Sequence, residues 1–493
     1  VALVSGSYAA ALLWTDRGYP YSADSHYHFS VGREIAHGSL VPDVAHGLPL
    51  TVLADMPVDH YWGYHLLLAP FAWVPNAELG MAMATAFLFA AVCVSMYLFL
   101  AARGVVHAGI WALLPVLFST QDWRFLQLRG GQLTVILLFA LAHVAFFEKR
   151  TARRRWMLVA IGYVAMLSYN GGIVLLPFQV AGALALALLS PEHGAARLVE
   201  PAFTAAGLAL GLTLNPYMDM RASPWRFALL HIGEMGRDTA RLYDDQEIAE
   251  FHGFPAHLLL VHPEWGLLLG AVVAAVVVAL VQARRSIPRV LRTDTIVLAG
   301  MALAGILLTS LAIRTREYSV PVAFALLAVL APRRRSKGEA AIAVVLTFAV
   351  LVLHGLDTAA SRGSLATRQY DGTRDLLVAN GEHPILNIAE ADYCMLRWQY
   401  DRVVCVQGLS RYFIYPYPEL FHDVWELHDR ADTSAETPAI LRRFYDRGVR
   451  LVAVHWMHNR MFRYAEAHPE VLELMFRSPV NRASIYRIDP RGF

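Results

Sequence analysis

Along the chain, long uncharged runs alternate with polar stretches of very unequal length. Segments near 1–15, 78–102, 105–119, 132–147, 156–169, 171–189, 201–216, 264–282, 294–313, 318–331 and 340–355 are apolar almost throughout. A helix that crosses a bilayer needs roughly 20 such residues, so about eleven spans are predicted, with 105–119 and 156–169 notably short. The run from Val1 to Trp14 has no basic flank and no small-residue cleavage site, and so does not read as a signal peptide. The chain is expected to begin partway into its first span.

The polar connections set an orientation. The stretches 148–155 (EKRTARRR), 282–294 (with Arg284, Arg285, Arg289 and Arg292) and 332–339 (PRRRSKGE) fall on one side if the spans alternate. Basic residues in short loops mark the cytoplasmic side, which puts the N-terminus inside. The connections 15–77, 120–131, 216–263 and 314–318, and everything from 356 onward, then lie outside. In the tail, PILNIAE, RVVCVQG and RLVAVHW read as short buried parallel strands. Residues 391–400 and 435–447 read as helices, Asp446-Arg447-Gly448 as a turn, 460–476 as a last helix and SIYRID as a fourth strand. The predicted fold class is a polytopic α-helical membrane protein with a membrane domain over 1–355 and a soluble extracytoplasmic α/β domain over 356–493.

Composition agrees. The 493 residues are 56% hydrophobic and 17% charged, against about 25% charged in soluble proteins, and the mean hydropathy is +0.41. A net charge of +2 gives no ground for a nucleic-acid partner. Only Lys149 and Lys337 are lysine, the other basic residues being arginine. That bias points to a GC-rich bacterial genome, and the expected location is the bacterial inner membrane. Cys93 lies in an apolar run; Cys394 and Cys405 are either a disulfide of an oxidising compartment or two reduced core thiols.

Titratable groups gather at the predicted outer ends of the spans. SADSHYHFSVGREIAHGSL, 22–40, reads as a helix lying at the membrane surface. Asp24 and His28 are four apart and share a face, with Val31 and Ile35 continuing toward the bilayer. An amphipathic linker with a wet polar face is the plain alternative. In DMPVDHYWGYHLLLAPF, 55–71, the aromatic residues fit interface anchors, which does not account for Asp59, His60 and His65. TQDWRFLQLRGGQ, 120–132, offers Asp122, Arg124 and Arg129, and its paired glycines allow a close backbone approach. AIRTREYSVP, 312–321, carries Arg314, Arg316 and Tyr318 on the side where arginine is disfavoured. Arginine suits bidentate phosphate recognition, and snorkelling is the alternative. In 216–263, Trp225, Leu229, Ile232 and Met235 predict an amphipathic interfacial helix; His231 and Glu234 there are most simply solvated. No cofactor motif is present. Asp24 with Asp122, or with His28, Asp59 and His60, would suit a divalent metal; hydrogen-bonded histidines are the competing reading.

Asp24 within D-x-x-Y-H, followed by R-E-I-A-x-G, resembles GT-C-fold glycosyltransferases. So do YWGYHLLLAPF before the second span, LRGGQ opening a span, and the basic-aromatic turn before the late spans. The aromatic segment is similar to that of aminoarabinose and protein-mannosyl transferases. The tail, with GLSRYFIYPYPELFHDVWELHD and YDRGVRLVAVH, resembles soluble domains of bacterial members. The resemblance covers most of the chain in layout. It implies inverting transfer of a sugar from a polyprenyl-phosphate or polyprenyl-diphosphate donor to an acceptor hydroxyl on the outer face. The family's acid in the first outer loop maps onto Asp24 as base, with His28, Asp59 or Asp122 orienting it or holding a metal. Arg129, Arg314 and Arg316 would balance the departing phosphate, and Tyr318, His60 and His65 would line the substrate. Ser25 follows Asp24, interrupting the acid–acid pair of the mannosyl and aminoarabinose branches. The WWDxG motif of oligosaccharyltransferases is absent, and HWMHN at 455–459 does not replace it, so asparagine glycosylation is not expected. The implied partners are the lipid-linked sugar, membrane lipid, and a glycan, lipid or protein acceptor.

Two rivals remain. A transporter or flippase would carry ionisable groups inside its spans, where this chain has chiefly Asn170 and Gln179. A non-catalytic membrane scaffold would tolerate replacement of Asp24, Asp59 and Asp122.

Overall fold

A computed structural model describes residues 1, 5–6, 23–44, 46–55, 58–117, 125, 127–219, 263–283, 289–311, 315–331, 369–408, 414, 417–455, 459–479 and 483–493. The first part is helical. Its principal helices are α1 (Ala23–Ala36), α2 (Trp62–Leu68), α3 (Ala77–Ala101), α4 (Ala108–Leu113), α5 (Gly130–Phe146) and α6 (Ala152–Ser168). They continue with α7 (Leu175–Leu189), α8 (Glu200–Thr213), α9 (Pro263–Ala283), α10 (Arg289–Leu311) and α11 (Arg316–Leu330). Local chemistry sets their starts. Asn76 caps α3 by accepting from Leu79 N–H at 3.0 Å, and Thr151 caps α6 by accepting from Arg154 N–H at 3.2 Å. Among the described residues, Ala77–Ala101, Asn170–Leu189 and Ala195–Thr213 are long and apolar enough to cross a membrane. The expected run 105–119 is divided: α4 gives way to a 3-10 turn, Leu114–Leu117, where Pro115 supplies no N–H to continue the helix. The span near 340–355, most of 1–15, and the helix through Trp225 lie outside the described residues.

Small residues bring α6 and α8 together. A methyl on Gly207 would stand 2.0 Å from the Val159 carbonyl oxygen, and one on Gly162 would stand 2.3 Å from that of Thr204. Gly207 and Gly211 make a G-x-x-x-G spacing, which lets helix backbones meet closely. One end of the bundle is laced by charge. Arg103 pairs with buried Asp294 at 3.4 Å and stacks on Phe99 and Phe147. Arg154 pairs with buried Glu200 and donates to the Glu148 carbonyl, and Arg197 donates to the Ala145 carbonyl. The connections at 101–107, 147–151 and 190–200 and the start of α10 are thereby tied together at one end of the bundle.

The C-terminal part carries α12 (Arg374–Asn380), β1 (Ile385–Asn387), α13 (Glu390–Gln399), α14 (Pro418–Arg430), α15 (Thr437–Asp446), β2 (Leu451–Val454), α16 (Asn459–Ala467), β3 (Leu472–Arg477) and β4 (Ser484–Ile488). The sheet order is β1-β2-β4-β3, with β1 and β2 parallel and β4 antiparallel to both neighbours. Two expectations are corrected. Residues 402–408 add only one parallel bridge, Cys405 to Ile385. The helix expected over 460–476 ends at Ala467 and is followed by β3, because Pro469 closes it and β4 offers a pairing edge. α14 was not expected; Leu420, Val424 and Leu427 line its buried face behind Pro418 at its first turn. Cys394 and Cys405 are both buried and are not joined by a disulfide.

This part is not separate from the first connection. Tyr27, Val31, Val44, Leu48 and Val58 share one apolar cluster with Tyr370, Tyr393, Cys405 and Ile485. The Cys405 N–H donates to the Gly47 carbonyl at 2.8 Å. α1 was expected to lie on the bilayer through Val31 and Ile35. Instead Val31 is fully buried in that cluster and Ile35 is buried too, because α13 covers the face that sequence alone leaves to lipid. Arg397 of α13 pairs with Glu34 of α1 and donates to the Tyr393 hydroxyl at 2.5 Å.

Candidate functional site

At the other end of the bundle, three distant connections meet. Asp24 lies in the first turn of α1, and its Oδ2 is 2.9 Å from an Arg129 guanidinium nitrogen. The Asp24 side chain is 40% exposed, so the pair stands at an accessible surface. Arg129 is the N-cap residue of α5, and its Nε donates to Gln127 Oε1 at 2.8 Å. The union is tightened from below. Leu128 N–H donates to Ser25 Oγ at 3.0 Å, between residues 103 apart in sequence. Gln132, three residues into α5, donates to the Phe125 carbonyl at 2.6 Å and accepts from the Tyr64 hydroxyl at 3.4 Å.

The paired glycines do admit close neighbours. A methyl on Gly130 would stand 3.0 Å from Tyr169 and 3.3 Å from Tyr61; one on Gly131 would stand 2.5 Å from Glu317 Oε2. A buried carboxylate thus approaches the N-terminus of α5, where the helix dipole favours negative charge. Tyr318 is buried, with its hydroxyl 3.5 Å from the same point. Tyr61 stacks on Tyr169 with ring centroids 5.2 Å apart.

Beneath the ion pair lies a second constellation. Asp59 Oδ2 is 2.5 Å from His65 Nδ1, and His65 Nε2 is 2.8 Å from His28 Nδ1. All three side chains are buried. Asp59 Oδ1 accepts from the Tyr61 N–H at 2.8 Å. The rings of Tyr61, Tyr64 and Tyr27 enclose His28 at centroid distances of 4.6, 5.2 and 5.4 Å. Burial, with Asp59 nearby, pushes the Tyr27 phenol well above its ordinary pKa, and burial does the same to Tyr64.

Asp24 and Arg129 are joined directly, and His28, His65 and Asp59 form one hydrogen-bonded chain. His65, expected among the residues that line the substrate and phosphate, has both ring nitrogens engaged and a fully buried side chain. His60 is buried against the Tyr61 ring at 4.1 Å. Arg316 opens α11 and is half-buried. Asp122, Arg124 and Arg314 lie outside the described residues. Among the described residues, no three His, Cys, Asp or Glu side chains are grouped to hold a metal ion. Asp24 is paired with Arg129, and Asp59 with His65. Gln132 and Tyr169 were not anticipated. A Gln at the third helical position and the turn signal Tyr169-Asn170-Gly171-Gly172 were the available hints.

A helical bundle whose connections converge at one end over an α/β unit is the GT-C fold. The chain matches the crystal structure of the Archaeoglobus fulgidus oligosaccharyltransferase in the apo form with a TM-score of 0.55 and 14% identity, over 99% of this chain and 74% of that one. It matches archaeal oligosaccharyltransferase AglB from Archaeoglobus fulgidus, in complex with an inhibitory peptide and a dolichol-phosphate, with a TM-score of 0.55 and 13% identity over the same shares. No family model matches the chain, and no curated protein matches it. At these identities the likeness establishes the fold.

Proposed function

We propose that the chain is an integral-membrane glycosyltransferase that moves a sugar, with inversion, from a polyprenyl-phosphate or polyprenyl-diphosphate donor to an acceptor hydroxyl on the outer membrane face. The membrane domain is 1–355 with about eleven spans, and 356–493 is an extracytoplasmic domain on a bacterial inner membrane. The observation that carries this is the Asp24–Arg129 pair, an acid and a guanidinium drawn from separate connections to one accessible point. The AglB complex adds support, since that protein holds a dolichol-phosphate and a peptide.

The chemistry asks for little beyond placement. A lipid phosphate is already a good leaving group. Arg129, and Arg316 at the head of α11, supply positive charge as the bond from C1 to the phosphate oxygen breaks and its electrons leave with the phosphate. Asp24 accepts the hydrogen bond of the incoming hydroxyl and aims its oxygen at C1. When phosphate engages Arg129, Asp24 is released from its present partner.

The test is reconstituted protein supplied with a panel of undecaprenyl-phosphate-linked hexoses and pentoses, with the lipid extract read by mass spectrometry. Loss of the sugar from the lipid with a new glycoside is expected. Flux of intact lipid-linked sugar across the vesicle with no new glycoside would instead make the chain a transporter.

A further inference from the structure

The end of the bundle away from Asp24 and Arg129 carries chemistry of its own. α5 begins beside Arg129 and its 17 residues rise about 25 Å, so the connection that follows it, 147–151, stands far from that ion pair. Between 148 and 200 six cations accompany three carboxylates. The bundle engages most of them. Arg154 is buried on Glu200, and Arg150 is 3.8 Å from the same carboxylate. Arg197 donates to the Ala145 carbonyl, Arg155 lies 5.4 Å from the Phe203 ring, and Glu148 is 3.1 Å from His143. Lys149 and Arg153 are exposed and form no ion pair with a described residue.

The surface of α6 is divided lengthwise. Arg154, Leu158, Gly162 and Ala165 are buried. On the other side Arg153 is followed at helical spacing by Trp156, Met157, Ala160 and Val164, all exposed, Trp156 by 71%. From Arg153 to Val164 the helix rises about 16 Å, close to the ~15 Å of hydrocarbon in one leaflet. Tryptophan settles at the level of lipid headgroups. Arg153, one turn before Trp156, therefore stands at the depth of the lipid phosphate, with an apolar track for a chain beyond it.

We propose that Lys149 and Arg153 hold the headgroup of an anionic phospholipid whose acyl chain lies along Trp156, Met157, Ala160 and Val164. This rests on the chain's place in a membrane and not on glycosyl transfer. A zwitterionic phospholipid offers the same phosphate but brings its own cation, which the two side chains repel. Two basic residues at a bilayer surface correspond to a preference of roughly 10- to 30-fold for anionic lipid.

The full chain, purified in detergent, is titrated with dioleoylphosphatidylglycerol or dioleoylphosphatidylcholine, and bound lipid is counted by native mass spectrometry. The wild type should prefer phosphatidylglycerol by that factor. Lys149→Gln with Arg153→Gln should bring the two lipids within about two-fold of each other. Arg442→Gln with Arg460→Gln, which removes the same charge from exposed positions of the C-terminal part, should keep the preference. Glycerophosphoglycerol, the same headgroup without chains, should not displace the lipid even in large excess. Equal binding of both lipids by the wild type overturns the site, leaving these cations as markers of orientation alone. So does a preference that survives in the first pair or is lost equally in the second. Displacement by glycerophosphoglycerol would make this a site for soluble phosphate esters and overturn the lipid assignment. Salt at about 1 M screens exposed charge and should abolish the wild-type preference; its persistence there overturns the proposal whether or not the variants fold.

Discussion

The junction between α1 and α13 offers the sharpest test of how the C-terminal part is held over the site. Arg397 has only 3% of its side chain exposed, and its partner Glu34 has 25%. Arg397 also donates to the Tyr393 hydroxyl and lies 6.0 Å from the Tyr27 ring. Beside it, Arg33 lies 5.5 Å from the Trp398 ring, which meets His26 edge-on at 5.0 Å. Glu34→Gln would leave the guanidinium buried without its counter-charge. Breaking a fully buried pair costs about 3–5 kcal/mol. Because Glu34 is partly wet, about 2–3 kcal/mol is the appropriate figure. That is a rise of roughly 30- to 150-fold in the population with the junction open. Hydrogen exchange of α1 and α13 in detergent or nanodiscs should quicken by that factor in Glu34→Gln, while α14 and α15 stay as in wild type. The double variant Glu34→Leu with Arg397→Met should recover most of the loss, since an apolar pair needs no counter-charge. Unchanged exchange in Glu34→Gln, or a double variant that opens as much as the single one, would refute the claim that this pair secures the junction.

Gly207→Ala should separate α6 from α8, costing about 2–3 kcal/mol of stability, whereas Gly270→Ala, with open space around it, should melt like wild type; equal melting of the two variants would contradict the close packing. Burial pushes the Asp392 carboxyl up to about 7. The folded state therefore holds that proton more tightly than the unfolded chain, and this contribution to stability, full below about pH 4, is lost as the pH rises to about 7. Asp392→Asn should remove that slope and exceed wild-type stability near pH 8 by up to about 4 kcal/mol, measured by denaturation at each pH. Burial also pushes the Cys405 thiol well above its ordinary pKa, so a maleimide should label Cys405 and Cys394 only after unfolding; rapid labelling of the native protein would show otherwise.

How far the sequence reached depends on what each signal encodes. The apolar run at 78–102 became α3 at Ala77–Ala101 because hydropathy and the Asn76 cap agree on one boundary. At 294–313 the helix begins at Arg289: hydropathy marks where lipid can be, and a helix continues past it through basic residues. β3 was missed because Leu-Glu-Leu-Met favours a helix in isolation, and only pairing with β4 makes it a strand. α1 was legible as a helix but not as a buried one. Its hydrophobic side meets α13, more than 350 residues later in the chain, and periodicity carries no partner. The same limit applies to the site. Spacing put Asp24 and His28 on one face, but neither the bond from His65 to His28 nor the meeting of Asp24 with Arg129 is written in any local pattern.

If a polyprenyl-phosphate sugar is cleaved where Asp24 meets Arg129, the loss of the Asp24 carboxylate must stop the transfer. The direct measurement is the rate of glycoside formation by purified protein in liposomes containing undecaprenyl-phosphate-linked sugars, for wild type and for Asp24→Asn. Glycoside is expected from the wild type, with a loss of roughly 100-fold or more in the variant, which should still insert and fold. Equal rates in the two proteins would contradict it.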